Sequence, residues 1–285
     1  MTVSAGVRIF LLLLVSSMTV PARADQIAFL TFTDGVWQVA VTSPSRNSAR
    51  VVSRFSADAT RVSCLPDSGA LLVTLNDGSV GMLSTDTGTF STLSALPRPV
   101  LDAAASPDGN SIAFSYARAG GIDTNDIYLA RRDGTGIRRL TSMDALQHEP
   151  AWSQDGTWVY FASGDGGSVH DLWRVRANGE ALEQITVASR YNFDVAVGPN
   201  EVLAYSSNRS GDYEIYMSGA NAPAKRLTYH QGLDARPTFD QSGSRIAFER
   251  VVDGVPNIWV ARVRDGRVRQ LTQTLLGARG PVWCK

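Results

Sequence analysis

The sequence is poor in the residues that most catalytic and metal sites require. It has two cysteines and three histidines among 285 residues, and no Gly-x-Ser-x-Gly segment of the kind that forms an α/β-hydrolase nucleophile elbow. The histidines, His148, His170 and His230, fall at different positions of the internal repeat described below, so we expect that they do not converge on one metal ion. We therefore predict no catalytic residue, no metal ligand and no cofactor.

The sequence also lacks any strong imbalance of charge and any long apolar segment. It has 27 basic and 27 acidic side chains, without dense clusters of lysine or arginine. Binding to nucleic acid requires concentrated positive charge, and so does electrostatic binding to a membrane surface. A transmembrane helix needs roughly 20 consecutive apolar residues, and no segment of this chain reaches that length. We expect neither nucleic-acid binding nor membrane insertion.

The first 24 residues have the three parts of a secretory signal peptide. Arg8 precedes the apolar run Ile9–Val15, and a small-x-small sequence ends at Ala24. We predict cleavage after Ala24 and export of a single domain formed by residues 25–285. Cleavage removes Arg8 and Arg23, which leaves 25 basic and 27 acidic side chains in a weakly acidic mature chain.

The remaining sequence repeats one unit. Each copy has four short runs rich in Val, Ile, Leu and aromatic residues, separated by turn residues, which indicates four strands joined by hairpins. A marker position in the first run recurs at intervals of 41 to 47 residues, at Cys64, Ala105, Trp152, Val197, Phe239 and Trp283. Four-stranded units at this spacing predict an all-β fold, a six-bladed β-propeller.

The two ends of the repeat array complement each other. Residues 27–29 match the second strand of a blade, whereas residues 280–283 match a first strand. We therefore expect the C-terminal strand to join the N-terminal blade, because this closes the ring and removes the open sheet edges that promote aggregation.

The repeat resembles that of a known family. The segment Pro150–Gly156 reads Pro-Ala-Trp-Ser-Gln-Asp-Gly, and this pattern, with Ser207–Tyr216, resembles the WD-like propeller repeat of TolB proteins. The resemblance covers nearly all of residues 25–285. It implies a periplasmic, non-catalytic scaffold that binds a protein of the cell envelope, by analogy a Pal-like lipoprotein. We expect a monomer, since a closed ring has no built-in reason to self-associate.

One departure from the TolB pattern concerns the start of the chain. TolB proteins carry an α/β domain ahead of the propeller, and that domain engages TolA. Here two residues separate the predicted cleavage site from the first strand. We expect a stand-alone propeller, and TolA binding is not carried over.

The repeat also indicates which residues surround the central channel. The first strand of each blade is innermost, so the residue three before each marker is expected at the channel mouth. These positions hold Arg61, Asp102, Glu149, Asp194, Arg236 and Gly280. Three acids flanked by two arginines predict a site for a cation, a basic peptide or a polar partner loop. Alternatively, Arg61 pairs with Asp102 and Arg236 with Asp194 as solvated ion pairs of small energetic value.

Two further functions stay open at this point. A lyase or hydrolase acting on acidic saccharides could use Glu149 or His148 as a base and an arginine to offset the substrate carboxylate. A sensor could bind a small ligand or calcium, for which turns such as Asn208–Asp212 offer oxygen atoms. Tight turns need the same residue types, and the spacing of a helix-loop-helix calcium loop is missing.

The two cysteines are a candidate disulfide. In the predicted ring, Cys64 and Cys284 lie on adjacent inner strands, and exported proteins form disulfides readily. Their repeat positions differ by one residue, so alternation along a strand would direct their side chains to different faces. We predict the Cys64–Cys284 bond, with two buried thiols as the alternative.

Overall fold

The computed structural model describes residues 25–45, 48–66, 68–117, 125–164, 169–187, 190–219 and 223–284. The predicted signal peptide, residues 1–24, lies outside them. The described residues form strands and one short 3₁₀ turn, Pro199–Glu201, with no α-helix. They accordingly include no helix long and apolar enough to cross a membrane.

Within these residues the chain forms twenty-four strands, and four sheets contain four strands each. The bounds of those strands follow in chain order: β1 Gln26–Thr33, β2 Val36–Thr42, β3 Ala49–Val51, β4 Ala59–Cys64, β5 Ala70–Leu75, β6 Val80–Ser84, β7 Phe90–Thr92, β16 Asn192–Val197, β17 Leu203–Ser210, β18 Asp212–Ser218, β19 Lys225–Arg226, β20 Asp234–Phe239, β21 Arg245–Val252, β22 Val255–Arg262, β23 Val268–Gln270 and β24 Ala278–Cys284. The sheets have the orders β24-β1-β2-β3, β4-β5-β6-β7, β16-β17-β18-β19 and β20-β21-β22-β23.

The other eight strands form one larger sheet instead of two separate ones. They are β8 Val100–Ala105, β9 Ser111–Ala117, β10 Asn125–Arg131, β11 Arg138–Arg139, β12 Leu146–Trp152, β13 Trp158–Gly164, β14 His170–Arg176 and β15 Glu183–Gln184. Strands β8 to β11 form one antiparallel meander, and strands β12 to β15 form another. One parallel pair, Asn125 with Leu146, joins the two meanders. The expectation of six separate sheets is therefore wrong in this part of the chain.

The fold is an all-β propeller built from four-stranded units. Strand β24 pairs antiparallel with β1, with Trp283 opposite Ile27, so the last strand completes the first sheet as the sequence indicated. The inner strands contact one another around the axis through hydrogen bonds such as that from Ala105 N to Ser63 Oγ at 3.0 Å. Apolar clusters fill the spaces between neighbouring sheets.

Three turns between the first and second strands of a unit also contact the neighbouring unit. Their glycines, Gly109, Gly156 and Gly243, have a positive φ, and each faces a proline of the preceding unit; in Gly243 φ is 70°. A Cβ on Gly243 would lie 2.8 Å from Pro199 Cδ, so a larger residue would disturb both the turn and the contact. At Gly243, glycine is therefore required by packing between units as well as by the turn.

The recurring Leu-Thr motif satisfies polar groups inside each unit. In the unit of β16 to β19, Thr228 Oγ1 accepts a hydrogen bond from Ile215 N at 2.9 Å and donates to Glu214 Oε2 at 2.6 Å. Thr272 makes the equivalent bonds to Ile258 N and Asn257 in the next unit. Since buried polar groups need partners, this threonine is structural.

The predicted disulfide is present and links Cys64 of β4 to Cys284 of β24, with Cα atoms 5.5 Å apart. The one-residue offset between the cysteines favours the bond. Trp283 packs into the cluster shared with the preceding sheet, and Cys284 points the opposite way, into the cluster shared with β4 and β5. Cys64 packs against that same cluster. Alternation along β24 thus directs the two sulfur atoms toward each other.

Candidate functional site

The inner strands surround a central cavity of about 340 Å³. All six residues expected at the channel mouth line it: Arg61, Asp102, Glu149, Asp194, Arg236 and Gly280. The six positions taken from the repeat thus lie around one cavity. A role for them in binding stays a prediction.

A β-bulge in each inner strand positions the mouth residues. All six inner strands show a register shift against their neighbour near this end. Glu149, Asp194 and Arg236 have φ values of 58°, 56° and 53°. This left-handed conformation costs a non-glycine residue about 1–2 kcal/mol, so neighbouring contacts must hold it in place.

Those contacts come from the acids themselves, which form a chain of hydrogen bonds from blade to blade. Asp102 Oδ2 accepts the N–H of Glu149 at 3.2 Å, and Glu149 Oε2 accepts the N–H of Asp194 at 2.7 Å. Asp194 Oδ2 then accepts the N–H of Arg236 at 3.2 Å. The Arg236 side chain cannot accept a hydrogen bond from the next inner strand. In its place, Glu249 of β21 accepts the N–H of Gly280 at 3.2 Å.

The two ion pairs that the sequence analysis gave as the alternative to a binding site are also present. Arg61 Nη1 lies 3.6 Å from Asp102 Oδ1, and Arg236 Nε lies 3.9 Å from Asp194 Oδ1. Arg236 makes a closer pair with Glu249, at 3.1 Å. Asp102, Glu149 and Asp194, here called the acid arc, are thus partly neutralised by the flanking arginines. Their carboxylates have two roles, tying adjacent strands together and giving the cavity a negative side.

The two central carboxyl groups, Glu149 and Asp194, titrate as a pair. Burial raises the pKa of Asp194, the neighbouring Glu149 charge raises it further, and together they bring it to about 7 despite Arg236. Burial alone would also raise the pKa of Glu149, but the hydrogen bond and charge of His148, followed by Arg61, lower it to about 2. At neutral pH Glu149 is therefore ionised, whereas Asp194 is close to its titration midpoint.

This arrangement predicts a stability that falls as pH rises through neutrality. A carboxyl group whose pKa is raised in the folded state stabilises the fold fully below its pKa in the unfolded state, which is about 4. This contribution is lost as pH rises through the pKa of the folded state. For Asp194 the loss extends to about pH 7. We expect the Asp194→Asn variant to show a flatter dependence of Tm on pH between about pH 5 and pH 8 than the unchanged chain.

The control for this measurement is Asp253→Asn, because Asp253 is an exposed residue of the β21–β22 turn. Its pH profile should match that of the unchanged chain. An Asp194→Asn profile as steep as the original would contradict the assignment of the raised pKa to Asp194.

Sequence reasoning missed a contact between two histidines. The rings of His148 and His170 are 5.5 Å apart, on β12 and β14, which flank β13. Gly164 on β13 makes room for this contact, since a Cβ there would lie 2.5 Å from His170 Cδ2. In the part of the chain that the structure describes, no three metal-ligating side chains are grouped closely enough to hold an ion.

A second missed residue is Arg279, directly before Gly280. It does not line the cavity, but its guanidinium lies 3.9 Å from the centre of the Trp37 ring. No repeat signal identifies it, since the equivalent positions hold unrelated residues, such as His148 and Phe193.

Comparisons with known proteins agree with this geometry. The family model described as the TolB beta propeller domain matches residues 76–202. A protein of Chlorobium chlorochromatii named Protein TolB homolog is 32% identical over 142 residues, which are 49% of this chain and 31% of that protein. Over these residues the chain is similar to TolB-like propellers. The Tol-Pal system protein TolB of Nitratidesulfovibrio vulgaris is 24% identical to the TolB-like chain over 143 residues, which are 47% of it and 30% of that relative. The matched parts span less than a third of either relative.

Solved structures extend the likeness of fold. TolB from Acinetobacter baumannii superposes with a TM-score of 0.76 at 16% identity, covering 92% of the TolB-like chain and 67% of that chain. An oligogalacturonate lyase in complex with manganese has a TM-score of 0.61 at 12% identity, covering 87% and 74%. Such low identities concern the fold alone, and enzymes are therefore among the proteins that share it.

Proposed function

We propose that the TolB-like chain is an exported, non-catalytic protein-interaction module of the cell envelope. Residues 1–24 are its cleaved signal peptide, and residues 25–285 form a monomeric propeller in the periplasm. We count six blades in the propeller, because the eight-stranded sheet consists of two four-stranded meanders joined by one residue pair. Relatives named as Tol-Pal system proteins support a partner in the envelope, by analogy a Pal-like lipoprotein.

The observation that carries this proposal is the mouth of the cavity. Each of its acids accepts a hydrogen bond from a backbone amide of the neighbouring strand, which fixes the positions of the carboxylates. Glu149, with a pKa of about 2, is a poor general base at neutral pH. A rigid, charged rim of this kind fits recognition of a complementary partner, since electrostatic complementarity provides specificity and fast association.

Exposed apolar side chains lie on the face of the propeller that carries the mouth residues. They lie in the loops that lead from the outer strand of one unit to the inner strand of the next, where the mouth residues begin. Val187 is 72% exposed, Tyr229 is 74% exposed and Leu275 is 91% exposed. Apolar residues around a charged centre are a common composition of protein-binding surfaces.

The test is a binding titration of the mature chain with the soluble domain of a Pal-like lipoprotein from the same envelope. The variant Asp102→Asn/Glu149→Gln removes two charges and keeps oxygen atoms that accept the same amide hydrogen bonds. We expect it to bind about tenfold more weakly or worse. The matched control is Asp133→Asn/Asp265→Asn, in two turns at the opposite end of the strands.

An unchanged affinity in the mouth variant, with a native melting curve, would contradict this use of the acid arc. Failure of the unchanged chain to bind any Pal-like domain would count against that partner.

A second function is supported by one observation, the pKa of about 7 for Asp194 beside two arginines in a cavity. A carboxyl group with that pKa could act as the base of a lyase on acidic saccharides. A lyase function predicts that the unchanged chain turns over oligouronates and that Asp194→Asn abolishes this turnover.

The other candidate, a ligand sensor, predicts a melting temperature that rises with its ligand. Equal melting curves with and without uronic acids or calcium would argue against it.

A further inference from the structure

The arginine beside the mouth, Arg279, is electrostatically unlike its neighbours. Arg61 and Arg236 each have an acidic partner. Arg279 has none within ion-pair distance among the residues that the structure describes, and its Nε is buried without a hydrogen-bond partner. Burial and then the Arg236 charge lower the pKa of Arg279, and the charges of Glu249 and Asp58 only partly offset them. A partly buried guanidinium without an anion is unfavourable for the free protein.

The surroundings orient this guanidinium. It stacks on Trp37, which packs edge-to-face on Phe32 with ring centres 5.4 Å apart. The backbone N–H of Trp37 donates to Asp58 Oδ1 at 2.8 Å, which fixes the start of β2. A guanidinium that stacks on an aromatic face can still donate hydrogen bonds in its own plane, and its two Nη atoms match a carboxylate with two parallel hydrogen bonds.

An exposed apolar segment lies next to the same tryptophan. Leu275 and Leu276 are 91% and 65% exposed, and Gly277 follows them. A Cβ on Gly277 would lie 3.1 Å from the edge of the Trp37 ring, so the loop packs closely against that ring. The unpaired positive charge is therefore beside a small apolar surface.

We propose that Arg279 and Trp37 form a carboxylate-binding site that takes an acidic group carried next to an apolar side chain. Within the proposed function, on which this inference rests for its biological ligand, the carboxylate is the C-terminus or an acidic side chain of the partner. The unpaired Arg279 and the exposed Leu275–Leu276 then contact one ligand. This contact is separate from the acid arc and opposite in charge.

The test uses a small probe, so that it does not depend on any protein partner. N-acetylleucine carries a carboxylate beside an isobutyl group, and N-acetylleucinamide is the same molecule without the charge. We expect N-acetylleucine to shift the Nε–Hε NMR signal of Arg279 with saturation at concentrations up to about 20 mM, and the amide to have no such effect.

Variants separate the contributions. Arg279→Gln should weaken N-acetylleucine binding at least about tenfold, and Arg279→Lys should weaken it by less, because it keeps the charge without the planar fork. Arg264→Gln, which removes an arginine whose side chain is 78% exposed, should bind as the unchanged chain does. No binding by the unchanged chain, or equal binding of the amide, would overturn the site while leaving the proposed envelope partner untouched.

A stability measurement distinguishes a binding residue from a structural one. Arg279→Met keeps an unbranched side chain against Trp37 and removes the unpaired charge. We expect its Tm to equal or exceed that of the unchanged chain, because residues kept for binding often reduce stability. A Tm lower by several degrees would assign Arg279 to the fold and overturn the proposal.

Discussion

Asp234→Ala is expected to lower the free energy of unfolding by about 3–5 kcal/mol, because it leaves a buried arginine without its partner. Asp234 and Arg250 face each other across β20 and β21. Arg250 Nε donates to Asp234 Oδ1 at 2.7 Å and Nη2 donates to Oδ2 at 2.6 Å. The side chains are 0% and 7% exposed, so water cannot replace the lost carboxylate.

The measurement is urea denaturation, read from the shift of the midpoint at an unchanged slope. The double variant Asp234→Leu/Arg250→Met is the control, since replacement of a buried ion pair by apolar residues is often neutral. It should recover most of the loss. A cost below about 1 kcal/mol for Asp234→Ala would show that the pair behaves as an exposed one.

Removal of the Cys64–Cys284 bond should have the next largest effect. The bond closes a loop with a sequence separation of 220, and it ties the closing strand β24 to β4. Native disulfides typically contribute about 2–5 kcal/mol, and the chain-entropy model places long loops at the upper end. We expect Cys64→Ala/Cys284→Ala to lose that amount while keeping the propeller fold.

Two measurements check this result. Reduction of the unchanged chain should produce a similar loss of stability, and the double variant should no longer respond to the reductant. Two freely reactive thiols in the native exported protein would rule out the bond. An unchanged melting temperature after complete reduction would show that the ring closes equally well without it.

The general architecture could be read from the sequence because it depends on local signals that recur. The alternation of apolar residues, the Asp-Gly turns and the Leu-Thr ending appear in copy after copy, and each copy folds under the same constraints. Repetition also indicated that the residues from Arg61 to Arg236 share one place in their units, and the structure has them along the cavity. Matching partial units at the two ends indicated the pairing of β24 with β1.

Other features depended on how the units meet. The pair between Asn125 and Leu146 joins two sheets through a single residue on each side. A periodic sequence pattern does not predict such an isolated pair. The left-handed conformation of Glu149 follows from a bulge and from the acceptor that Asp102 offers to its N–H. The His148–His170 contact requires the missing side chain of Gly164 in the strand between them.

For this TolB-like chain, sequence by itself therefore determined the repeated unit, its turns and the set of charges near the axis, because these follow from residue type and spacing. Tertiary structure alone decided which charges neutralise one another. Arg236 meets Glu249 of its own sheet as well as Asp194 of the preceding one, whereas Arg279 meets an aromatic ring and no acid. Ion pairing and pKa depend on distances of a few ångströms and on burial, and both are set when the blades pack together.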